Sequence, residues 1–347
     1  MALLILIPAA AFLVSLIALR ILLSDLLRQR VLDRPNERSL HSRPVPRTGG
    51  VAIMAGVLAA LLLSPPHYPV LIGLLAVLVG VSVLDDLRGL SAPARLLVHI
   101  GVAAVFCFTG LSGLPGLSGL PGLSGLAGPA PVVFTIVLLS IVWMTNLYNF
   151  MDGSDGLAGG MAVIGFGAYA IGAVSHGDTA LATLCAAVAA SSAAFLYFNF
   201  APARIFMGDA GSIPLGFLAA ALGVAGWQRG LWPLWFAPLV FSPFIVDATI
   251  TLARRAARGE AVWQAHRDHY YQRLIRSGIG HRGTALAEYA LMLAAAASAL
   301  WLTGQSVTVV EGALGAWAIV YAALAVTVDR RWLRTVNAGA PTRGSPP

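Results

Sequence analysis

The sequence predicts an all-α integral membrane protein with about eleven transmembrane helices. Hydrophobic residues make up 58 % of the 347 residues and charged residues only 11 %, far from the balance of a soluble globular protein. Eleven apolar runs suited to crossing a hydrocarbon core of about 30 Å follow one another along the chain. We expect these runs to be helices, because in lipid every backbone polar group must be satisfied within the protein.

The apolar runs are centred near residues 12, 56, 77, 102, 139, 166, 189, 219, 242, 293 and 316, and the second and third are short. The first run, Ala2 to Leu19, lacks the basic start and the small-residue cleavage site of a signal peptide. We therefore expect a retained first span. Cys107 and Cys185 lie within apolar runs, which favours buried structural thiols over a disulfide or a metal site.

The arginine distribution predicts the orientation of the chain. All 22 basic residues are arginine, and every one except Arg229 lies in or beside an odd-numbered connecting loop or in the tail after Asp329. The positive-inside rule then places the odd-numbered loops and the C-terminus in the cytoplasm and the N-terminus outside. Because the net charge of +7 follows this loop pattern, it does not indicate nucleic-acid binding.

We expect one polytopic domain, residues 1–328, followed by a short basic cytoplasmic tail, residues 329–347. The cytoplasmic loops of the domain are predicted at residues 24–48, 85–95, 146–157, 199–212 and 253–283. Residues 111–128 read LSGLPGLSGLPGLSGLAG, with glycine at every third position. The run is short and poor in proline, which favours an irregular external connector over a collagen-like helix.

The stretch from Asn146 to Gly160, NLYNFMDGSDGLAGG, is a dense polar cluster between two apolar runs. Asp152 and Asp155 are each followed by glycine, at a spacing of three. Because glycine permits tight turns, we expect one turn to aim both carboxylates into the same small volume.

Two further acidic clusters adjoin predicted helix ends. Asp85-Asp86 follows an apolar run directly, and adjacent acids repel each other unless a cation or a partner stabilises them. Mg²⁺ with a phosphate substrate suits such oxygen ligands, while Arg88 and Arg95 offer the alternative of a surface ion pair. Asp209, in FMGDAGS, is flanked by small residues that let a ligand approach the backbone, and the alternative there is a capped turn.

Basic and histidine-containing segments occupy the remaining loops. PNERSLHSRPVPRTGG ends in Gly49-Gly50, whose N–H groups at the start of the second helix could bind a phosphate; the alternative is a basic loop that attracts anionic lipid. The last loop contains HRDHYYQR, a composition that favours phosphate binding over zinc. Asp247 lies inside a span, where an acid is costly and is therefore a functional candidate.

Acids that hold Mg²⁺ and arginines that hold phosphate, gathered on one face, suit phosphoryl transfer. A transporter is the alternative class, although it would place coupling acids near the membrane midplane in repeated halves. Only Asp247 is intramembrane and no repeat is visible. An inactive binding subunit is a third alternative, which the intact acidic clusters disfavour.

The motifs together resemble those of the polyprenyl-phosphate N-acetylhexosamine-1-phosphate transferases, the family of the WecA and MraY enzymes. The resemblance covers nearly the whole chain, with PNERSLHSRPVPRTGG, LDD, NLYNFMDGSDGLAGG, FMGDAGS and the histidine-containing loop in that order. It implies transfer of a sugar 1-phosphate from a UDP-sugar to undecaprenyl-type polyprenyl phosphate, releasing UMP, with Mg²⁺ as cofactor and Mn²⁺ as a substitute. The implied location is the cytoplasmic face of the inner (plasma) membrane, in contact with membrane lipid and without nucleic acid, and a homodimer is left open.

The resemblance also implies roles for individual residues. The implied catalytic residues are Asp85, Asp86, Asp209 and His269, with Asp209 as the Mg²⁺ ligand and Asp85 and Asp86 as further candidate ligands. The implied substrate-binding residues are Asn149, Asp152, Asp155, Arg47, Arg267 and Arg273.

One departure from the family pattern bears on the substrate. Where WecA-like enzymes have His-x-His-His, this chain has His269-Tyr270-Tyr271-Gln272. MraY-like enzymes have a histidine triplet there, so the departure disfavours the alternative of a muramoyl-pentapeptide donor in peptidoglycan synthesis. The sequence instead resembles the branch that initiates O-antigen or other surface polysaccharides, with GlcNAc, FucNAc and QuiNAc as alternative donor sugars.

Overall fold

The computed structural model describes residues 2–24, 32–33, 44–65, 68–113, 130–262, 264 and 266–339. Within these residues the chain is an all-α membrane protein, as predicted, and every predicted apolar run is helical. The helices are α1 (Ala2–Leu22), α2 (Gly49–Leu63), α3 (Pro69–Arg88), α4 (Ala92–Gly113), α5 (Ala130–Phe150), α6 (Leu157–Ser175), α7 (Thr179–Asn199), α8 (Asp209–Gln228), α9 (Phe236–Val240), α10 (Ser242–Ala257), α11 (Tyr270–Leu274), α12 (Gly280–Leu302) and α13 (Val307–Gly339). A kinked segment, Ile275–Ile279, in which Gly278 has a φ of 88°, joins α11 to α12. Two short antiparallel strands, β1 (Leu32–Asp33) and β2 (Val45–Pro46), precede α2.

Among the described residues, eight helical segments are long and apolar enough to cross a membrane. The helix α2 and the apolar part of α3, Pro69–Asp85, are shorter, as predicted. The run predicted near residue 242 is interrupted, since α9 ends at Val240 and α10 begins at Ser242. Pro243 lies in the first turn of α10, where its missing N–H group is tolerated but where it cannot continue a preceding helix.

The central helix of the bundle is α8, of which 83 % is buried. It packs against α2, α3 and α5, while α1 packs against α2 and α7. A Cβ atom on Gly50 would lie 2.1 Å from the backbone nitrogen of Gly211, so glycine is needed where α2 and α8 begin. This close approach places Asp209, the first residue of α8, beside the start of α2.

The polar ends of several helices differ from their predicted boundaries. Asp85 and Asp86 lie in the last turn of α3, which ends at Arg88, and Asn149 lies in the last turn of α5. Residues 329–339 of the predicted tail continue the helix α13, and residues 340–347 lie outside the described residues. Most of the predicted loop 24–48 and of the repeat 111–128 also lie outside them. Cys107 and Cys185 are buried free thiols, as predicted.

Candidate active site

The carboxylate of Asp209 is the centre of a polar cluster at the start of α8. Its Oδ1 accepts hydrogen bonds from Arg47, at 2.8 Å, and from the Asn149 amide, at 3.0 Å. The Asn149 amide also donates to Ser212 Oγ, at 2.9 Å, one turn further along α8. Asp209 is only 6 % exposed, so its charge depends on these partners. The structure therefore brings Arg47, Asn149 and Asp209 together.

Arg95 connects Asp209 to the acidic end of α3. Its Nη1 lies 2.8 Å from Asp85 Oδ2 and 3.4 Å from Asp209 Oδ2. The second oxygen of Asp85 accepts the N–H of Leu90, at 2.6 Å. The ion pair between Arg95 and Asp85, one of the two alternatives expected from the sequence, is therefore present, and Arg95 also bridges to Asp209. Asp86 lies beside Asp85 on α3, but its side chain is outside the described part of the chain.

Asp152 belongs to the same electrostatic environment as Asp209. Burial, with the Asp209 carboxylate acting in the same direction, raises its pKa to about 8 against the opposing effects of Arg47 and the Gly208 N–H. Asp152 thus shares a site with the residues around Asp209.

Asp155 faces a different part of the molecule, so the prediction that one turn aims both carboxylates into the same volume is wrong. Its Oδ2 accepts the N–H of Ala203, at 3.0 Å, and its Oδ1 lies 3.7 Å from His281 Nδ1. Ser154 Oγ lies 3.1 Å from the same imidazole nitrogen. These contacts hold the α5–α6 turn, residues 151–156, against α12 and the segment before α8. These contacts make Asp155 an anchor of the turn, and its predicted substrate-binding role stays a prediction.

The N–H groups of Gly49 and Gly50 do not provide the predicted phosphate site. They donate to the carbonyl groups of Phe206, at 2.9 Å, and Met207, at 2.8 Å. The N–H of Phe206 in turn donates to the Pro46 carbonyl, at 2.7 Å. The prediction is wrong because the segment before α8 already satisfies these donors. The pairing instead fixes Arg47 beside Asp209.

His269 and Asp247 form a second polar cluster at the start of the short helix α11. Asp247 Oδ1 lies 3.1 Å from His269 Nδ1, and Asp247 accepts the N–H groups of Tyr270 and Tyr271, both at 3.0 Å. Gln272 Oε1 accepts the N–H of His269, at 3.2 Å. Asp247 is 7 % exposed, and its position inside a span had marked it as a candidate without indicating a partner. In the structure the partner of Asp247 is His269, which it contacts at Nδ1.

Arg267 and Arg273 lie apart from the acidic cluster. Arg273 Nη1 binds Asp329 Oδ1 on α13, at 2.7 Å, and the Arg267 carbonyl accepts a hydrogen bond from Arg276, at 3.3 Å. In the described part of the chain, no hydrogen bond or ion pair joins either residue to Asp85 or Asp209. Their predicted substrate-binding role stays a prediction.

The donor atoms of the cluster suit Mg²⁺ that is shared with a substrate. Asp85 and Asp209 supply carboxylate oxygens around one arginine, and such hard donors match this ion. Among the described residues, no group of three or more acidic, histidine or cysteine side chains could hold a metal ion alone. Because Mg²⁺ usually binds through one or two carboxylates plus phosphates and water, the residues present fit it.

A largely apolar cavity of about 720 Å³ adjoins the cluster between α4, α5 and α10. Leu96, Leu139 and Trp143 contribute to its apolar wall, and Arg95 and Asn149 also line it. Arg95 and Asn149 both contact Asp209. The cavity therefore connects membrane-facing side chains with the acidic cluster.

Comparisons with known proteins identify the family of the chain. Residues 68–226 match the family model described as glycosyl transferase family 4, and this region contains both Asp85 and Asp209. The chain is 32 % identical, over 86 % of its length and 85 % of the relative, to a probable undecaprenyl-phosphate N-acetylglucosaminyl 1-phosphate transferase of Bacillus subtilis. It is 28 % identical, over 73 % of its length and 71 % of the relative, to the undecaprenyl-phosphate alpha-N-acetylglucosaminyl 1-phosphate transferase of Yersinia pestis. It is also 26 % identical, over 71 % of its length and 82 % of the relative, to a phospho-N-acetylmuramoyl-pentapeptide-transferase of Staphylococcus aureus.

Proposed function

The chain belongs to glycosyl transferase family 4, in the WecA- and MraY-like group, and from this premise we propose that it initiates a surface polysaccharide such as an O-antigen. It transfers N-acetylhexosamine 1-phosphate from a UDP-sugar to polyprenyl phosphate. An oxygen of the lipid phosphate attacks the β-phosphorus of the donor in line, and the bond from that phosphorus to the UMP oxygen breaks. The products are polyprenyl-diphosphate-sugar and UMP, and the sugar C1–O bond stays intact.

The bridge that Arg95 forms between Asp85 and Asp209 is the observation that carries this proposal. Phosphoryl transfer depends mainly on positioning and on neutralising charge, and this bridge joins acidic and basic groups from three helices. Arg47 and Arg95 are suited to bind phosphate oxygens, because guanidinium groups present several donors in a plane. Asp85 orients the attacking lipid phosphate in this account.

Donor binding is assigned to the residues around the α5–α6 turn. Asn149 and Asp152 lie near Asp209. Asp155 instead contacts Ala203, in the segment before α8. His269 holds a phosphate group through Nε2, because its Nδ1 is engaged by Asp247. In this proposal the cluster around Asp209 and the cluster of His269 and Asp247 both bind the donor.

Mg²⁺ is the proposed cofactor, with Mn²⁺ as a substitute. Asp209 is the main protein ligand, and Asp85 and Asp86 are further candidate ligands. When bound, the ion would neutralise negative charge on the donor diphosphate. Arg47 and Arg95, which contact Asp209 in the structure, would remain near enough to bind phosphate.

The acceptor chain is assigned to the apolar cavity beside Arg95. A polyprenyl tail matches the leucine and tryptophan side chains of this cavity, and its phosphate would meet Arg95 and Asn149. The arginine distribution supports a cytoplasmic site in an inner membrane protein with its N-terminus outside. The homodimer stays a prediction.

A peptidoglycan precursor is the second candidate donor, since one of the relatives is a phospho-N-acetylmuramoyl-pentapeptide-transferase. The sequence His269-Tyr270-Tyr271-Gln272 argues against it, because it lacks the histidine triplet that MraY-like enzymes have there.

The proposal is tested by UMP release from the purified chain with polyprenyl phosphate and Mg²⁺. UDP-GlcNAc, UDP-FucNAc, UDP-QuiNAc and UDP-MurNAc-pentapeptide are compared as donors. We expect one of the first three to release UMP and the muramoyl donor to be inactive. If folded protein released UMP from none of them, the proposed function would be wrong, and release from the muramoyl donor alone would favour the second candidate.

A further inference from the structure

Tyr271 lies between the two polar clusters of the site and has no role in the reaction described above. It is fully buried and belongs to α11, two residues after His269. We propose that Tyr271 is a positioning residue that joins α11 to the α5–α6 turn and so sets the location of His269 relative to the donor, a role that rests on the proposed function.

The first side of this connection is the contact with His269. The N–H of Tyr271 donates to Asp247 Oδ2, at 3.0 Å, while Asp247 Oδ1 lies 3.1 Å from His269 Nδ1. The rings of Tyr271 and His269 are stacked, with centroids 5.7 Å apart and planes inclined by 19°. A movement of the Tyr271 ring would therefore move the imidazole of His269.

The second side is the contact with the end of α5 and the turn that follows it. The Tyr271 hydroxyl donates to the Phe150 carbonyl, at 3.2 Å. A Cβ atom added to Gly153 would lie 2.1 Å from the same hydroxyl oxygen. Phe150 and Gly153 flank Asp152, which shares the environment of Asp209. The Tyr271 ring thus fills the space between His269 and the proposed donor-binding turn.

Gly153 shows that the turn is fitted to this side chain. Its φ angle is not in the positive range that favours glycine, so its backbone conformation alone would accept another residue. The Tyr271 hydroxyl is what leaves no room for a side chain at this position. Gly153 and Tyr271 are therefore expected to depend on each other.

This dependence is measured as non-additivity between the effects of the two substitutions on kcat and KM. Tyr271→Phe keeps the buried ring and removes one hydrogen bond, so we expect the KM for the UDP-sugar to rise by about fivefold. Gly153→Ala places a methyl group against the hydroxyl, and we expect a larger loss of kcat/KM. The double variant has no hydroxyl to clash, and the next Tyr271 atom, Cζ, would lie 3.2 Å from the methyl carbon. It should therefore be more active than Gly153→Ala alone.

The experiment measures kcat and the KM for the UDP-sugar in the full-length chain, using whichever UDP-HexNAc the wild type uses. Tyr169→Phe is the matched control, because Tyr169 is also fully buried and donates to a backbone carbonyl, that of Ala219, at 2.9 Å. Gly167→Ala is the second control, since a methyl group there meets nothing within 4 Å. We expect both controls to keep the wild-type KM.

A wild-type KM in Tyr271→Phe, or a double variant no better than Gly153→Ala, would overturn the role of Tyr271 while leaving the proposed function intact. If the wild type released no UMP, the proposed function would fail instead. The melting temperatures of the wild type, Tyr271→Phe, Gly153→Ala and the double variant would then still test the contact between Tyr271 and Gly153. The double variant should be more stable than Gly153→Ala alone, and equal stability would overturn the proposed contact.

Discussion

Asp247 and His269 are joined by a hydrogen bond of 3.1 Å between Oδ1 and Nδ1, although 22 residues separate them along the chain. The same carboxylate accepts the first two N–H groups of α11, so it fixes the histidine and the helix that follows it. This shared acceptor explains why an acid is retained at a depth where its burial is costly. Because Asp247 engages Nδ1, the proposed phosphate contact of His269 is assigned to Nε2.

Asp247→Asn should lower the activity without removing the fold. The amide keeps one acceptor oxygen for the four donors that contact Asp247, and a hydrogen bond to a charged group contributes about 1.5–3 kcal/mol. We therefore expect kcat for UMP release to fall by about tenfold or more. Thr251→Val is the matched control, because the Thr251 hydroxyl donates to the same carboxylate, at 3.1 Å, without contacting His269. Equal losses in the two variants would contradict the orienting role of Asp247.

Asp329 on α13 binds Arg254 and Arg273, each at 2.7 Å. The Arg254 side chain is 42 % exposed, so its ion pair with Asp329 contributes little, about 0–1 kcal/mol, whereas Arg273 is only 14 % exposed. Asp329→Asn and Arg273→Gln should each lower the melting temperature, with a smaller difference from wild type at high salt. A rise of the donor KM in Arg273→Gln but not in Asp329→Asn would support the predicted substrate-binding role of Arg273, and an unchanged KM in both would contradict it.

His266 should make stability fall in mild acid. Burial, reinforced by His269 and Arg255, lowers its pKa to about 4 against the opposing effects of Asp268 and Glu260. Between pH 6.5 and 4 the unfolded chain then binds the proton that the folded chain excludes, so this contribution to stability is lost as the pH falls.

The measurement is the melting temperature of the wild type and His266→Gln from pH 7 to pH 4.5. We expect the wild type to lose more stability than the variant over this range. Parallel curves for the two proteins would show that His266 is not the group responsible.

The sequence predicted those features that depend on local pattern. Apolar runs determine helices in a membrane, so the run centred near residue 219 correctly located the buried helix α8. The proximity of Asp85 and Asp209 was also foreseeable, because both were expected on the same face of the membrane. The break between Val240 and Ser242 was not foreseen, although Pro243 was a signal for it.

Features that depend on distant partners could not be predicted. Arg95 lies 114 residues before Asp209, and nothing in its own segment indicates the bridge. The direction of Asp155 depends on Ala203 and His281, which belong to other segments. Likewise, the N–H groups of Gly49 and Gly50 resembled a phosphate site only because their acceptors lie more than 150 residues later.

UMP release by the wild type and Asp209→Asn, measured together with the formation of polyprenyl-diphosphate-sugar, tests the central claim most directly. Glu311→Gln, an exposed change on α13, serves as the control for a lost carboxylate. We predict equal amounts of UMP and lipid product from the wild type and the control, and neither product from folded Asp209→Asn. Unchanged turnover in Asp209→Asn would contradict the account of the site.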